Sequence, residues 1–167
     1  MKKEKYITTK EINDWHQSMT KMVKEIFKKD GYLVPVSNLL CQTNEGLKNI
    51  VIELPPMTDD TVKDKISETI KNICKKHNVV ALIFITEGWM IHRDKKQWNG
   101  ERPSESDDRI EIVQISFETP FITKVNIFEI KRDKDKPYLI EIVDDSRGYD
   151  DTEGRFAHLL SKNIIKN

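Results

Sequence analysis

Cysteine is scarce in this chain, with only Cys41 and Cys74 among 167 residues. Two cysteines cannot complete a structural zinc site. Both lie among apolar neighbours, so they read as core thiols of a protein kept in the reducing cytoplasm. Long apolar runs are missing too, since none approaches the roughly 18 residues that a membrane-spanning helix needs. The opening MKKEKYITTK carries charge but no apolar segment, so neither a secretory signal nor a membrane association is expected. Net charge is absent, with 28 basic residues balancing 28 acidic ones. Without a dominant basic footprint, a nucleic-acid partner is not expected. His16, His77, His92 and His158 show no H-x-x-x-H or H-E-x-x-H spacing, and no P-loop, G-x-G-x-x-G or G-x-S-x-G occurs. No metal, cofactor or catalytic set is therefore assigned.

What is present suits one folded domain spanning 1–167. Apolar residues make up 37% and charged residues 34%, but the apolar ones are clustered and periodic, which argues against disorder. Thr8 and Glu11 fit a capping box ahead of a helical stripe of Ile12, Trp15, Met19, Met22, Val23, Ile26 and Phe27. Gly31 suits its left-handed stop. YLVPVSNLLCQ and LKNIVIEL read as two strands around the turn TNEG, and Pro35 predicts that the first is an edge strand or carries a bulge. Thr58 or Asp59 caps a second helix carrying Val62, Ile66, Ile70, Ile73 and Cys74, which ends near His77–Asn78.

VVALIFITEGWMIH is the strongest strand, and its continuous apolar run implies burial on both faces and a central position. A polar loop over 93–108 leads to RIEIVQISF, ITKVNIFEIKR and YLIEIV, joined by short turns. Short links force antiparallel neighbours. An acidic loop over 144–154 and a short helix over 155–165, around Phe156, Leu159, Leu160 and Ile164, close the chain. The expected fold is α+β: one mostly antiparallel sheet of about six strands, with the two main helices on one face.

Alternation along the central strand puts Ala81, Ile83, Ile85, Glu87 and Trp89 on one face. If that strand neighbours the one beginning at Arg109, then Arg109 and Glu111 lie near Trp89 and Glu87. A Glu87–Arg109 ion pair is expected there, because a carboxylate at a partly buried strand end needs a donor. The plainer reading is a pair that pins the register, with Trp89 covering it. The functional reading is a small polar pocket in which Glu87, Arg109, Glu111 and Ser104 contact a ligand. Trp98, in the loop, would anchor a partner protein or fold back on the sheet.

Glu87-Gly88-Trp89, Pro103-Ser104-Glu105 and Asp108-Arg109-x-Glu111 resemble a pattern in small uncharacterised proteins of bacteria and their phages. The resemblance covers about 30 residues and implies a prokaryotic or phage origin, a stand-alone domain and no known activity. Glu129-x-Lys131, with Asp107 and Asp108 upstream, is similar to the metal-dependent nucleases of the PD-(D/E)xK group, whose acids hold a divalent ion beside a lysine. Against it, DKDK leads straight into another strand where those nucleases place a helix. The acids at 144, 145, 150, 151 and 153 do not match an EF-hand spacing. The reading carried forward is a cytoplasmic accessory protein that binds a protein or small ligand through Glu87, Trp89, Trp98, Ser104, Arg109 and Glu111. The alternative is a metal-dependent nuclease or hydrolase using Asp108, Glu111, Glu129 and Lys131.

Overall fold

Thr8 opens the first helix as expected: its hydroxyl accepts from the Glu11 N–H at 3.1 Å, while the Thr8 N–H donates to the Glu11 carboxylate at 2.9 Å. The computed structural model describes residues 8–91, 95–97, 99–148 and 155–160. Helix α1 (Thr9–Asp30) is followed by strands β1 (Val36–Thr43) and β2 (Gly46–Glu53), helix α2 (Asp60–Lys76), and strands β3 (Val79–Ile91), β4 (Arg109–Glu118), β5 (Ile122–Lys131) and β6 (Tyr138–Gly148). Asp59, rather than Thr58, caps α2, accepting from the Val62 N–H at 2.9 Å. The strands form one antiparallel sheet in the order β2-β1-β3-β4-β5-β6, with the doubly apolar β3 in its interior.

The two helices do not share a face. Met19, Val23 and Phe27 of α1 pack on Leu40, Ala81, Ile83, Ile85, Val113 and Ile115. Ile66, Ile70 and Cys74 of α2 pack on Leu39, Cys41, Leu82 and Phe84, which alternation puts on the opposite side. The physical reason lies in β1 and β3. Consecutive residues there are apolar and buried, so each face of the sheet needs its own cover.

Two further expectations are corrected, and the alternatives left open for β1 are decided. β1 is an interior strand rather than an edge, and its ladder with β3 is irregular between Leu40 and Cys41, which pair with Ala81 and Val79 so that the extra residue is Val80 of β3; Pro35 precedes the strand, so its missing N–H costs no ladder bond. β6 runs through the first half of the acidic stretch to Gly148, since Asp144 and Ser146 face Asn126 and Lys124 of β5 across the ladder. Asp150, Asp151 and Glu153 lie outside the described residues. The expected C-terminal helix is not seen where the chain is described, as Arg155–Leu160 are turns and bends; the rest of it, including Ile164, lies outside the described residues.

That short segment is nonetheless anchored on the α2 side of the sheet. Phe156 stacks on Phe84 with ring centroids 4.5 Å apart. Ser67 Oγ donates to the Arg155 carbonyl at 2.9 Å, and the Arg155 guanidinium reaches Asp60 and Asp64 at 3.0 and 2.7 Å. Glu118, almost fully buried at the end of β4, accepts from the backbone N–H groups of Leu159 and Leu160 at 3.3 and 3.0 Å.

Candidate functional site

β3 and β4 pair as a wide hairpin with Trp89 opposite Glu111 and Ile91 opposite Arg109. Glu87, Trp89, Arg109 and Glu111 therefore share the α1 side of the sheet, as their spacing predicts. The expected Glu87–Arg109 pair does not form. Glu87 sits opposite Val113, and its carboxylate accepts from the Leu33 backbone N–H at 2.6 Å. Gly31 ends α1 and turns the chain so that the Leu33 N–H points at the β3 end, and Glu87 is the acceptor that this donor needs. Burial pushes the Glu87 pKa up, opposed by the Leu33 N–H and the Arg132 guanidinium, while the Glu111 carboxylate adds to the rise.

Arg109 instead lies over Trp89, its guanidinium carbon 4.8 Å from the ring centroid, and donates to the Ser104 carbonyl at 2.7 Å. Ser104 thus contributes its backbone, held in the 3-10 turn Pro103–Glu105, rather than its hydroxyl. The loop is more structured than its composition suggests. Ser106 is buried and its hydroxyl accepts from the Asp108 N–H at 3.2 Å, while Lys95–Gln97 forms a second 3-10 turn. Glu111 pairs with Arg132 at 2.6 Å. Trp98 lies outside the described residues. The result is a platform: a half-exposed indole held from above by an arginine that the loop positions, with a carboxylate–guanidinium pair beside it. Exposed Tyr32 and Val34 flank Leu33 along its border.

The acids of the nuclease-like constellation are not brought together. Glu129 sits opposite Ile112, so it and Lys131 lie on the α2 side of the sheet, whereas Glu111 lies on the α1 side. The Lys131 ammonium is bound directly to Glu129 at 2.6 Å. β5 continues through a tight turn into β6 with no helix between them. Among the described residues, no group of three or more His, Cys, Asp or Glu side chains is arranged to hold a metal ion.

Sequence reasoning missed three buried polar groups. His16 is buried in the row Ile12, His16, Met19, Val23 and Phe27, while Met22 and Ile26 are partly exposed at its margin. Spacing alone could have found His16, which stands four residues after Ile12 and three before Met19. Asn126 is buried on β5, on the same side of the sheet. Glu118 is a third such group, read from sequence only as part of a turn.

Compared with known proteins, the chain matches no family model, no curated protein and no solved structure. Its fold is that of an α+β protein with a six-stranded antiparallel sheet between two helices. Among the described residues no helix is long and apolar enough to cross a membrane.

Proposed function

We propose that the chain is a small cytoplasmic accessory protein of bacterial or phage origin that binds a partner protein at the Trp89–Arg109 platform. The carrying observation is that Trp89, 50% exposed, is fixed on a rigid strand by an arginine that is itself tethered to the loop. A preorganised tryptophan with an arginine over it is the composition of a binding hot spot, because large side chains already ordered lose little entropy on docking. Buried, unbridged Cys41 and Cys74 support the reducing compartment, and the resemblance of the 87–111 segment supports the origin.

The test places a photo-crosslinking residue at exposed Val34, on the border of the platform, and, as control, at exposed Val51 on β2, leaving Trp89 in place. The expected result is one defined partner captured from position 34 only. Its affinity for the purified chain should then fall at least about tenfold on Trp89→Ala, the loss typical of a hot-spot residue. Equal capture at both positions, or an affinity unmoved by Trp89→Ala, would overturn the proposal.

A further inference from the structure

The sheet has two edges, and they are built differently. β6, at one edge, is guarded. It carries Glu141, Asp144 and Asp145, and its ladder with β5 is irregular at Ile127/Phe128. Charge and irregular pairing are common means by which an edge refuses a further strand. β2, at the other edge, has neither in its centre. Between Lys48 and Glu53 it reads Asn49, Ile50, Val51, Ile52, and its ladder with β1 is unbroken from Gly46 to Glu53. Among the described residues no strand lies on its outer side.

One hydrogen bond fixes which backbone groups that edge presents. The Leu54 N–H donates to the Pro35 carbonyl at 3.0 Å, so Leu54 turns its backbone towards β1. Alternation makes Ile52, Ile50 and Lys48 do the same, and it points the N–H and C=O groups of Leu47, Asn49, Val51 and Glu53 outward. Side chains alternate as well. Ile50 and Ile52 pack on the α2 core, whereas Leu47, Asn49, Val51 and Glu53 are exposed on the other face, outside the α1 core. Val51, 58% exposed, is the apolar centre of this outward set.

We infer that β2 pairs antiparallel with β2 of a second copy of this chain, about a twofold axis through Val51. In that register outward groups meet outward groups. Val51 exchanges both backbone bonds with Val51 of the second copy, and Asn49 does so with Glu53. The side chains match too. On one face Val51 meets Val51, with an Asn49 amide donating to a Glu53 carboxylate on either side. On the other face Ile50 meets Ile52, which extends the α2 core across the axis. An axis through Ile50 would instead set Leu47 against Glu53 and Lys48 against Ile52, apolar against charge. The twofold contact uses β2 of both copies and leaves only the guarded β6 edges outside, so assembly stops at two. A photo-crosslinker at Val51 would capture this second copy, a different product from the partner of the Trp89 platform, so the two readings fail separately.

Sedimentation equilibrium of the full chain over a concentration series tests the pairing. The mass should rise from 19.6 kDa towards twice that value. Val51→Lys sets two ammonium groups opposite each other at the axis, at an exposed position that keeps the fold, and should weaken association at least about tenfold. Ile140→Lys, 41% exposed on the β6 edge, should change nothing. Disulfide formation reads the register. Mild oxidation of Val51→Cys should link two copies, because a directly opposed pair brings its Cα atoms to about 5.5 Å, within disulfide reach. Asn49→Cys, opposite Glu53 and far from its own counterpart, should not link. Native Cys41 and Cys74 are buried and do not compete. A chain that stays monomeric at every concentration, as it would if the edge received a strand of another protein or of its own chain, would overturn the inference. So would association beyond two copies, a mass unmoved by Val51→Lys, or Asn49→Cys linking as readily as Val51→Cys.

Discussion

Glu118 shows what a single buried carboxylate does to the pH response of the whole protein. Burial raises its pKa to about 7 from the ordinary 4.5, against the opposing pull of the Leu160 and Leu159 N–H groups. A folded-state value above the unfolded one means that the native state holds the proton more tightly. The stabilisation is therefore full below about pH 4.5 and is lost as pH rises to about 7. The amount is on the order of 3 kcal/mol, at about 1.4 kcal/mol per pKa unit. His16 acts in the opposite sense, because burial and the Lys124 ammonium lower its pKa, so acid destabilises the fold there. Glu118→Gln separates the two, since glutamine resembles the protonated form and does not titrate. Urea midpoints measured from pH 4.5 to 8 should show the variant gaining on the wild type by a few kcal/mol across that window. A constant difference would mean that Glu118 titrates normally.

Elements are where the sequence was most legible. Both helices, their caps, all six strands and the β3–β4 pairing follow from periodicity and turn chemistry, because those signals are local. The side of the sheet that each helix takes is not local, yet the unbroken apolar run of β3 already implied cover on both faces. At the site, alternation correctly put Glu87, Trp89, Arg109 and Glu111 on one face. The partner of Glu87 was missed because it is a backbone N–H, which leaves no trace in side-chain pattern. Two glycines illustrate how the element context decides. Gly31 ends α1 at φ +76°, and a Cβ there would lie 3.2 Å from Pro137 in the β5–β6 turn. Gly88 in β3 has open space around it and an ordinary φ. Gly31→Ala should cost roughly 1–2 kcal/mol or more, from left-handed strain and the proline contact together. Gly88→Ala should be neutral or stabilising by up to about 1 kcal/mol. Thermal midpoints of the two variants test the contrast; equal losses would contradict it.

At the scale of the whole molecule, the sheet is a shared wall between two cores. Ala81, Ile83 and Ile85 face α1 while Leu82 and Phe84 face α2, so neither helix can leave without exposing one face of β3. The C-terminal turn adds to the α2 side, through Phe156 on Phe84 and through Glu118. Exposing one face of the central strand removes much of what holds its ladder, so the two layers should unfold as one cooperative unit. Each layer carries a reporter. Trp15 packs against Phe117 on the α1 side, with ring centroids 6.1 Å apart. Cys74 is 1% exposed on the α2 side, and burial, with a smaller contribution from the Glu118 carboxylate, pushes its pKa up to about 12, so the native thiol is inert. A variant keeping only Trp15, by Trp89→Phe and Trp98→Phe, would report the α1 layer by fluorescence, and with Cys41→Ala added a thiol reagent would report the α2 layer through Cys74 alone. In a urea series both signals should change at the same midpoint. Cys74 reactivity appearing well before the Trp15 transition would show that α2 opens alone, and that the two cores are independent despite sharing β3.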